Sequence, residues 1–158
     1  MKVAPVKAPD GLDKIAIEER VTPTPGPGEV QVRVRASSLN FHGFAVVAGM
    51  NPVPDGRIPM SDGAGEVTAV GSGVKIWKVG DPVLSTFPNW SAGGPTLPLL
   101  IGVSDDHADG SAAEYVVMPA TAFMRIATRL VDDRGRHPAL RRLDRLARPG
   151  GGGADQAG

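Results

Sequence analysis

Glycine and proline interrupt this chain at short intervals, and that spacing limits the possible folds more than any other feature. The 158 residues include 21 glycines and 15 prolines, which separate short apolar runs. Proline removes a backbone donor and fixes one dihedral angle, so a helix cannot cross residues 23–28 (PTPGPG). Short apolar runs bounded by such residues are typical of strands joined by turns. The pattern therefore predicts a mainly β domain.

The clearest strand is predicted for residues 29–36 (EVQVRVRA), where apolar and polar side chains alternate strictly. Three valines and an alanine fall on one face, and a glutamine and two arginines fall on the other. Side chains of a strand point alternately to its two faces, so we expect the apolar face to be buried. Further strands are predicted for residues 2–7, 14–21, 65–70, 82–86, 114–118 and 122–126.

One short helix is predicted directly after the alternating strand. Asn40 is a favoured N-cap residue, residues 41–48 contain no proline, and Gly49 suits the left-handed position that ends a helix. A second short helix is predicted for residues 138–148, where leucines recur at a spacing of three. A helix of that length is marginal without tertiary packing.

Composition and charge exclude several classes of protein. A hydrophobic content of 41% and a charged content of 22% are those of a soluble globular protein. The absence of cysteine excludes disulfides and thiolate metal ligands. No apolar signal segment or membrane-length run is visible, which predicts a cytoplasmic protein without a membrane partner. Residues 127–158 carry seven arginines, but glycine, alanine and aspartate dilute them, so no nucleic-acid partner is predicted.

Three motifs follow one another in the middle of the chain. They are the helix opened by Asn40, a glycine-rich strand start at residues 63–67 (GAGEV) and a turn at residues 79–83 (VGDPV). This ordered set resembles the amino-terminal, GroES-like catalytic domain of the medium-chain dehydrogenase/reductase superfamily. The resemblance covers about residues 1–126 and implies a GroES-like, partly open β-barrel with one or two short helices. It also implies NAD(P)H as cofactor, with NADPH favoured, and an alcohol, aldehyde or enone as substrate.

The residues at the family's zinc positions differ from those of its zinc-bound members. Those members open the first helix with cysteine and place Gly-His-Glu before the glycine-rich strand. Here Asn40 holds the first position, and Met60, Ser61 and Asp62 hold the others. Catalytic zinc needs several cysteine, histidine or carboxylate ligands, so Asp62 alone cannot bind it. The chain therefore resembles the metal-independent alcohol dehydrogenases and quinone reductases of the family, and no metal ligand is predicted.

The resemblance also implies which residues form the site. Asn40, His42 and Asp62 are the expected catalytic residues, and Asn40, Phe41 and His42 the expected cofactor contacts. Asn40 would donate to the substrate oxygen or orient the nicotinamide, and His42 would pass a proton to a developing alkoxide. A purely structural interpretation stands beside this one. Asn40 would then be only an N-cap, His42 an exposed helix residue, and Asp62 an acceptor for turn amides before Gly63.

The nucleotide-binding signature of such enzymes is missing from the chain. No strand is followed by G-x-G-x-x-G at the start of a helix, so we predict no Rossmann domain. We expect weak cofactor binding and little activity from this chain alone. After residue 126 the composition changes abruptly, and we expect residues 127–158 to be a frameshifted, partly disordered Arg/Gly-rich tail on a truncated dehydrogenase. An exposed cleft face would favour homodimer formation or aggregation.

The alternative function is a non-enzymatic, GroES-like binding module of the co-chaperonin type. The helix opened by Asn40 and the GAGEV segment argue against it, because co-chaperonins are shorter and lack both. A ring-shaped heptamer in solution would favour it.

Overall fold

The computed structural model describes residues 1–7, 11–86, 90–91, 94–95 and 108–126. Residues Met1–Arg125 form one compact unit. Its strands and helix are, in chain order, β1 (Lys2–Val3), β2 (Glu18–Glu19), β3 (Glu29–Ala36), α1 (Phe41–Val47), β4 (Ala64–Val70), β5 (Pro82–Ser85), β6 (Trp90–Ser91), β7 (Gly94–Pro95), β8 (Tyr115–Pro119) and β9 (Phe123–Arg125), with 3₁₀ turns at Leu12–Lys14 and Ala120–Ala122.

The central element is a five-stranded antiparallel sheet in the order β8-β3-β4-β5-β9. The strands β1 and β2 form a separate pair, as do β6 and β7. None of these sheets closes on itself within the described residues. The prediction of a mainly β, partly open barrel with a short helix is therefore confirmed.

Strand β3 lies inside the sheet and has the predicted faces. Val30 and Val32 are fully buried, whereas Arg33 and Arg35 are exposed. The core on the buried face combines side chains from five strands, because each strand contributes its alternate positions. The members of this core are Val30, Val32, Val67, Trp77, Val83, Val116, Met118, Ala120, Ala122 and Phe123.

The first two predicted strands are much shorter than expected. Strands β1 and β2 each contain only two paired residues. Lys14, the first residue of the second predicted strand, ends a 3₁₀ turn instead. Pro5 interrupts the first segment because it has no N–H for a ladder. Val6 beyond it is still fixed, since its N–H donates to the carbonyl of Arg57 over 2.8 Å and its carbonyl accepts from Gly56 over 2.9 Å.

Helix α1 begins and ends almost where the sequence predicts. Asn40 is its N-cap and Gly49 takes a φ of 74° just beyond its end. Its inner side chains, Val46 and Val47, pack against Val6 in a second small core. This packing fixes the helix beside the first segment of the chain, and with it the position of Asn40.

Gly65 allows β3 and β4 to approach closely. The residue lies opposite Val34, next to a register shift in the pairing of the two strands. A Cβ atom at this position would collide with the carbonyl oxygen of Arg33. A glycine is therefore required, which explains part of the GAGEV motif in physical terms.

The turn of the VGDPV motif is held by a buried carboxylate. Asp81 is 4% exposed and accepts hydrogen bonds from the Lys78 amide over 3.0 Å and from both terminal nitrogens of Arg125 over 3.0 and 3.2 Å. The same guanidinium lies 5.2 Å from the centroid of the Trp77 ring. The hydrogen bonds from Arg125 are the main cause that lowers the pKa of Asp81 below its ordinary value. Asp81 therefore joins the turn to the edge strand β9.

We expect Asp81→Asn to lower the free energy of unfolding by about 1 to 2 kcal/mol at neutral pH, since Arg125 is half exposed and the pair is partly screened. A carboxyl group whose pKa is lowered by folding stabilises the fold above its unfolded value, near about 3.9, and loses that contribution as the pH falls. The difference in the free energy of unfolding between Asp81→Asn and the wild type should thus be constant above about pH 5 and shrink below about pH 4.

Urea unfolding at several pH values measures this difference. Asp13→Asn is the matched control, because that carboxylate is 76% exposed and its ion pair is with the adjacent Lys14. A pH-independent difference for Asp81→Asn would contradict the assigned role.

Some predictions lie outside the described residues. They are the helix at residues 138–148 and the Arg/Gly-rich tail at residues 127–158, which stay predictions. No helix within the described residues has the length and apolar character needed to cross a membrane.

Candidate functional site

The pairing of β3 with β4 brings two loops together at one end of the sheet. Ala36, the last residue of β3, is paired with Ala64, the first residue of β4. Residues that follow β3 and residues that precede β4 therefore meet at this end, although they are distant in sequence. Asn40 lies in the first group and Asp62 in the second.

Asn40 uses its side chain in two directions. Its Oδ1 accepts a hydrogen bond from the amide of Gly43 over 2.9 Å, which caps α1. Its Nδ2 donates to Oγ of Ser61 over 3.0 Å and to Oδ2 of Asp62 over 2.8 Å. An amide nitrogen has two hydrogens, so both donors are engaged. A substrate oxygen would have to displace Ser61 or Asp62 to receive a hydrogen bond from Asn40.

Asp62 is held by the loop that follows β3. Its Oδ2 also accepts from Oγ of Ser38 over 2.8 Å, and its backbone carbonyl accepts from Oγ of Ser37 over 2.5 Å. We call Ser38, Asn40, Ser61 and Asp62 the polar cluster. The cluster joins the start of α1 to the start of β4 through side chains alone.

The amide of Gly63 is not bound by the Asp62 carboxylate. It donates instead to Oγ of Ser85 over 2.8 Å, and the Gly63 carbonyl accepts from the amide of Ser85 over 2.7 Å. The structural interpretation of Asp62 as an acceptor for this turn amide therefore does not describe the observed contacts.

Phe41 and His42 occupy the first turn of α1 and differ in exposure. The Phe41 ring is 75% exposed and lies 6.1 Å, centroid to centroid, from the ring of Phe44. His42 is half buried rather than fully exposed. The structure thus joins two of the predicted site residues, Asn40 and Asp62, by a direct hydrogen bond. Phe41 and His42 directly follow Asn40 in the first turn of α1.

A cavity of about 340 Å³ borders the polar cluster, and sequence reasoning did not find it. Ser38 and Asn40 are its polar residues, and the rest of the lining is apolar. Its walls come from five separate segments: Ala4 after β1, the 3₁₀ turn region, residues 38–47, Pro59 with Met60, and Ala112 before β8. No local pattern in the sequence therefore reveals it.

Met60 is the second feature that sequence reasoning missed. It lines the cavity, and it is the one non-glycine residue in the described ranges with a positive φ, at 77°. A left-handed conformation costs a residue with a side chain about 1–2 kcal/mol, and such strain is concentrated at functional sites. The available signal was that the resemblance places glycine at this position.

Comparison with known proteins identifies relatives of this arrangement. The family described as "Alcohol dehydrogenase GroES-like domain" matches residues 26–128. A zinc-type alcohol dehydrogenase-like protein of Schizosaccharomyces pombe is 34% identical over 92 residues, which is 56% of this chain and 27% of the relative.

Two solved structures share the fold as well. The cobalt- and zinc-bound thermostable alcohol dehydrogenase of Pyrobaculum aerophilum is 31% identical, with a TM-score of 0.68 over 81% of this chain and 41% of that one. A quinone oxidoreductase of Pseudomonas syringae pv. Tomato DC3000 is 27% identical, with a TM-score of 0.62 over 80% of this chain and 33% of that one. The chain thus spans between a quarter and about two fifths of the length of these relatives.

The polar cluster does not fit the zinc ion that two of these relatives suggest. The cluster brings together the amide of Asn40, the hydroxyl of Ser61 and the carboxylate of Asp62. Catalytic zinc sites use three ligands drawn from thiolate, imidazole and carboxylate, and the chain contains no cysteine. No group of three or more histidine, cysteine, aspartate or glutamate side chains in the described ranges is placed to hold a metal ion.

We expect that exchanging the partners of the Asn40–Asp62 hydrogen bond restores stability. Asn40→Asp keeps an acceptor for the Gly43 amide but places a second carboxylate against Asp62, so it should destabilise the fold at neutral pH. When Asn40→Asp is combined with Asp62→Asn, the amide at position 62 can donate a hydrogen bond to the carboxylate at position 40. The double variant should be more stable than the sum of the single changes by about 1 to 2 kcal/mol. Urea unfolding of the four proteins measures this coupling, and additive changes would contradict a direct bond.

We also expect Met60→Gly to be more stable than Met60→Ala by about 0.5 to 1 kcal/mol. Both changes remove the methionine side chain, but only glycine adopts a positive φ without strain. The strain energy that glycine avoids in the folded state exceeds the cost of the extra conformational entropy that it loses on folding. Met50 is a matched control because it is exposed and its φ is not positive. At Met50 the glycine variant should be the less stable of the two in thermal unfolding. The same order at both positions would contradict strain at Met60.

Proposed function

The chain belongs to the alcohol dehydrogenase GroES-like domain family, within the medium-chain dehydrogenase/reductase superfamily, and from this premise we propose that it forms the catalytic-domain wall of a zinc-independent, NAD(P)-dependent oxidoreductase site. Its substrates would be alcohols, aldehydes or enones, as in alcohol dehydrogenases and quinone reductases.

The observation that carries the proposal is the polar cluster at the edge of the apolar cavity. Asn40 and Asp62 are joined over 2.8 Å, and by the family resemblance they stand at positions where zinc-bound members have metal-site residues. A cavity with apolar walls and a few polar groups is the usual form of a small-molecule site. An amide and a carboxylate are hydrogen-bonding groups and not a set of zinc ligands. Polarisation of a substrate oxygen at this site would therefore depend on hydrogen bonds.

The residues at the start of α1 would divide the remaining tasks. A bound nicotinamide would supply or accept the hydride. Asn40 orients the reacting groups, because its side chain is fixed by three hydrogen bonds. Phe41 offers an exposed aromatic face for the cofactor, and His42 lies one residue further along the same turn as the proposed proton relay. Asp62 holds Asn40 in place.

We further propose that this chain alone is inactive or nearly so, and that NADPH is its preferred cofactor. The expected inactivity rests on the missing glycine-rich phosphate signature, and the preference for NADPH rests only on the resemblance to metal-independent members of the family. Exposed side chains around α1, including Leu39 at 94% and Phe41 at 75%, form an apolar face that would associate with a second copy or with another domain. A cytoplasmic location belongs to the same proposal.

Titration of the full chain with reduced nicotinamide mononucleotide and with NADPH, followed by amide NMR, tests the cofactor assignment. We expect signal shifts at Asn40, Phe41 and His42, a dissociation constant of about 1 mM or weaker, and no alcohol oxidation with NADP⁺. Phe41→Gln should remove the shifts, whereas Met50→Gln, beyond the far end of α1, should keep them. Absent shifts at these residues would favour the binding-module alternative, and tight binding or turnover would contradict inactivity.

Cobalt(II) added to the same sample tests zinc independence. The donor set of the polar cluster predicts no absorption bands of tetrahedral cobalt. The appearance of such bands would contradict the proposal.

A further inference from the structure

Ser85 places one hydroxyl group against two successive peptide groups of the segment before β4. Its Oγ accepts a hydrogen bond from the amide of Gly63 over 2.8 Å and donates to the carbonyl of Ser61 over 3.5 Å. A hydroxyl has one hydrogen to donate and lone pairs to accept, so the two contacts are compatible. Asp62 lies between the two peptide groups that this hydroxyl contacts.

These two peptide groups set the direction of the Asp62 side chain. A peptide group is planar, so the backbone at Asp62 is defined by the plane before it and the plane after it. The Ser61 carbonyl belongs to the first plane, and the Gly63 amide belongs to the second. The second plane is also held at its other end, where the Asp62 carbonyl accepts from Oγ of Ser37 over 2.5 Å. Rotation of either plane would move the carboxylate away from Asn40.

Ser85 is itself held by the central sheet. It is the last residue of β5, it pairs with Phe123 of β9, and its own amide donates to the carbonyl of Gly63 over 2.7 Å. Gly63 is buried, so water cannot easily replace the hydroxyl as acceptor for its amide. The Ser85 hydroxyl therefore connects the rigid sheet to the backbone around Asp62.

We propose that Ser85 is a positioning residue of the polar cluster. Its hydroxyl fixes the two peptide groups around Asp62, and thereby the carboxylate that holds the side-chain amide of Asn40. The proposal deepens the proposed function, on which it rests, by adding a residue of β5 to the same site. Ser85 acts through the backbone of residues 61–63 and takes no part in the chemistry.

Hydrogen exchange of side-chain amides, followed by NMR in the full chain without cofactor, tests the proposal. Both amide hydrogens of Asn40 are donated within the polar cluster, so they exchange when the cluster opens. In Ser85→Ala we expect these hydrogens to exchange about three- to tenfold faster than in the wild type.

The side-chain amide of Gln31 is the internal reference. It donates to the carbonyl of Pro23 over 2.5 Å and is not part of the polar cluster. A loss of global stability raises the exchange rates of Asn40 and Gln31 together, whereas a loss of positioning raises the Asn40 rate alone. The quantity to measure is therefore the ratio of the Asn40 rate to the Gln31 rate.

Ser111→Ala is the matched control variant. Ser111 also lies against Gly63, because a Cβ atom on that glycine would collide with the Ser111 hydroxyl. Ser111 is 3% exposed, and its Oγ has no hydrogen-bond partner among the described residues. The variant thus removes a hydroxyl beside the same glycine without breaking a hydrogen bond, and it should change the ratio by less than about twofold. Ser85→Thr keeps the hydroxyl and suits a strand, so it should also keep the ratio.

An unchanged ratio in Ser85→Ala, or an equal rise in Ser85→Ala and Ser111→Ala, would overturn the proposal. Ser37→Ala tests the same route without a change in β5, because it removes the bond at the carbonyl end of the peptide group that joins Asp62 to Gly63. The ratio should rise in this variant too, and an unchanged ratio there would overturn the route even if Ser85→Ala does not fold.

These measurements separate the inference from the proposed function, since they need no cofactor. Shifts caused by reduced nicotinamide mononucleotide at Asn40–His42, together with an unchanged exchange ratio in Ser85→Ala, would overturn the inference alone. A raised ratio without those shifts would support the positioning role within the polar cluster and remove the oxidoreductase assignment.

Discussion

The site depends on the register between β3 and β4. Ala36 pairs with Ala64, and Gly65 lets the two strands come close enough for this register because any side chain there would strike the Arg33 carbonyl. A shift of one residue would turn every side chain of β4 to the opposite face. It would also separate Asn40 from Asp62, so the backbone pairing and the polar cluster are parts of one arrangement.

Asn40 shows how one side chain can satisfy a structural and a functional requirement together. Its oxygen caps α1, which fixes the side-chain direction, and its nitrogen is thereby turned toward Ser61 and Asp62. The capping role and the site role are therefore not competing explanations. The three hydrogen bonds hold the Asn40 side chain in one orientation.

Local patterns in the sequence predicted the parts of this structure that depend on local physics. Strict alternation gave β3 its bounds and its buried face, and the N-cap preference of Asn40 with Gly49 beyond the helix gave α1 to within one residue. The hydrogen bond between Asn40 and Asp62 joins residues 22 positions apart, and no periodicity encodes it. Only the order of motifs, through the family resemblance, placed the two residues in one site.

The features that the sequence did not predict share one cause, which is the assembly of the cavity from five separate segments. Leu12 lies in a 3₁₀ turn just before the segment predicted as a strand at residues 14–21, and no pattern in the sequence indicates that it lines a cavity. Met60 stands where the family resemblance places glycine, and its φ of 77° is one that glycine adopts without strain. A protein that keeps methionine in a conformation suited to glycine forgoes about 1 kcal/mol of stability. The Met60 side chain also lines the cavity that Asn40 borders. Strain and apolar lining thus occur in the same residue, so the methionine that costs stability is also part of the cavity wall.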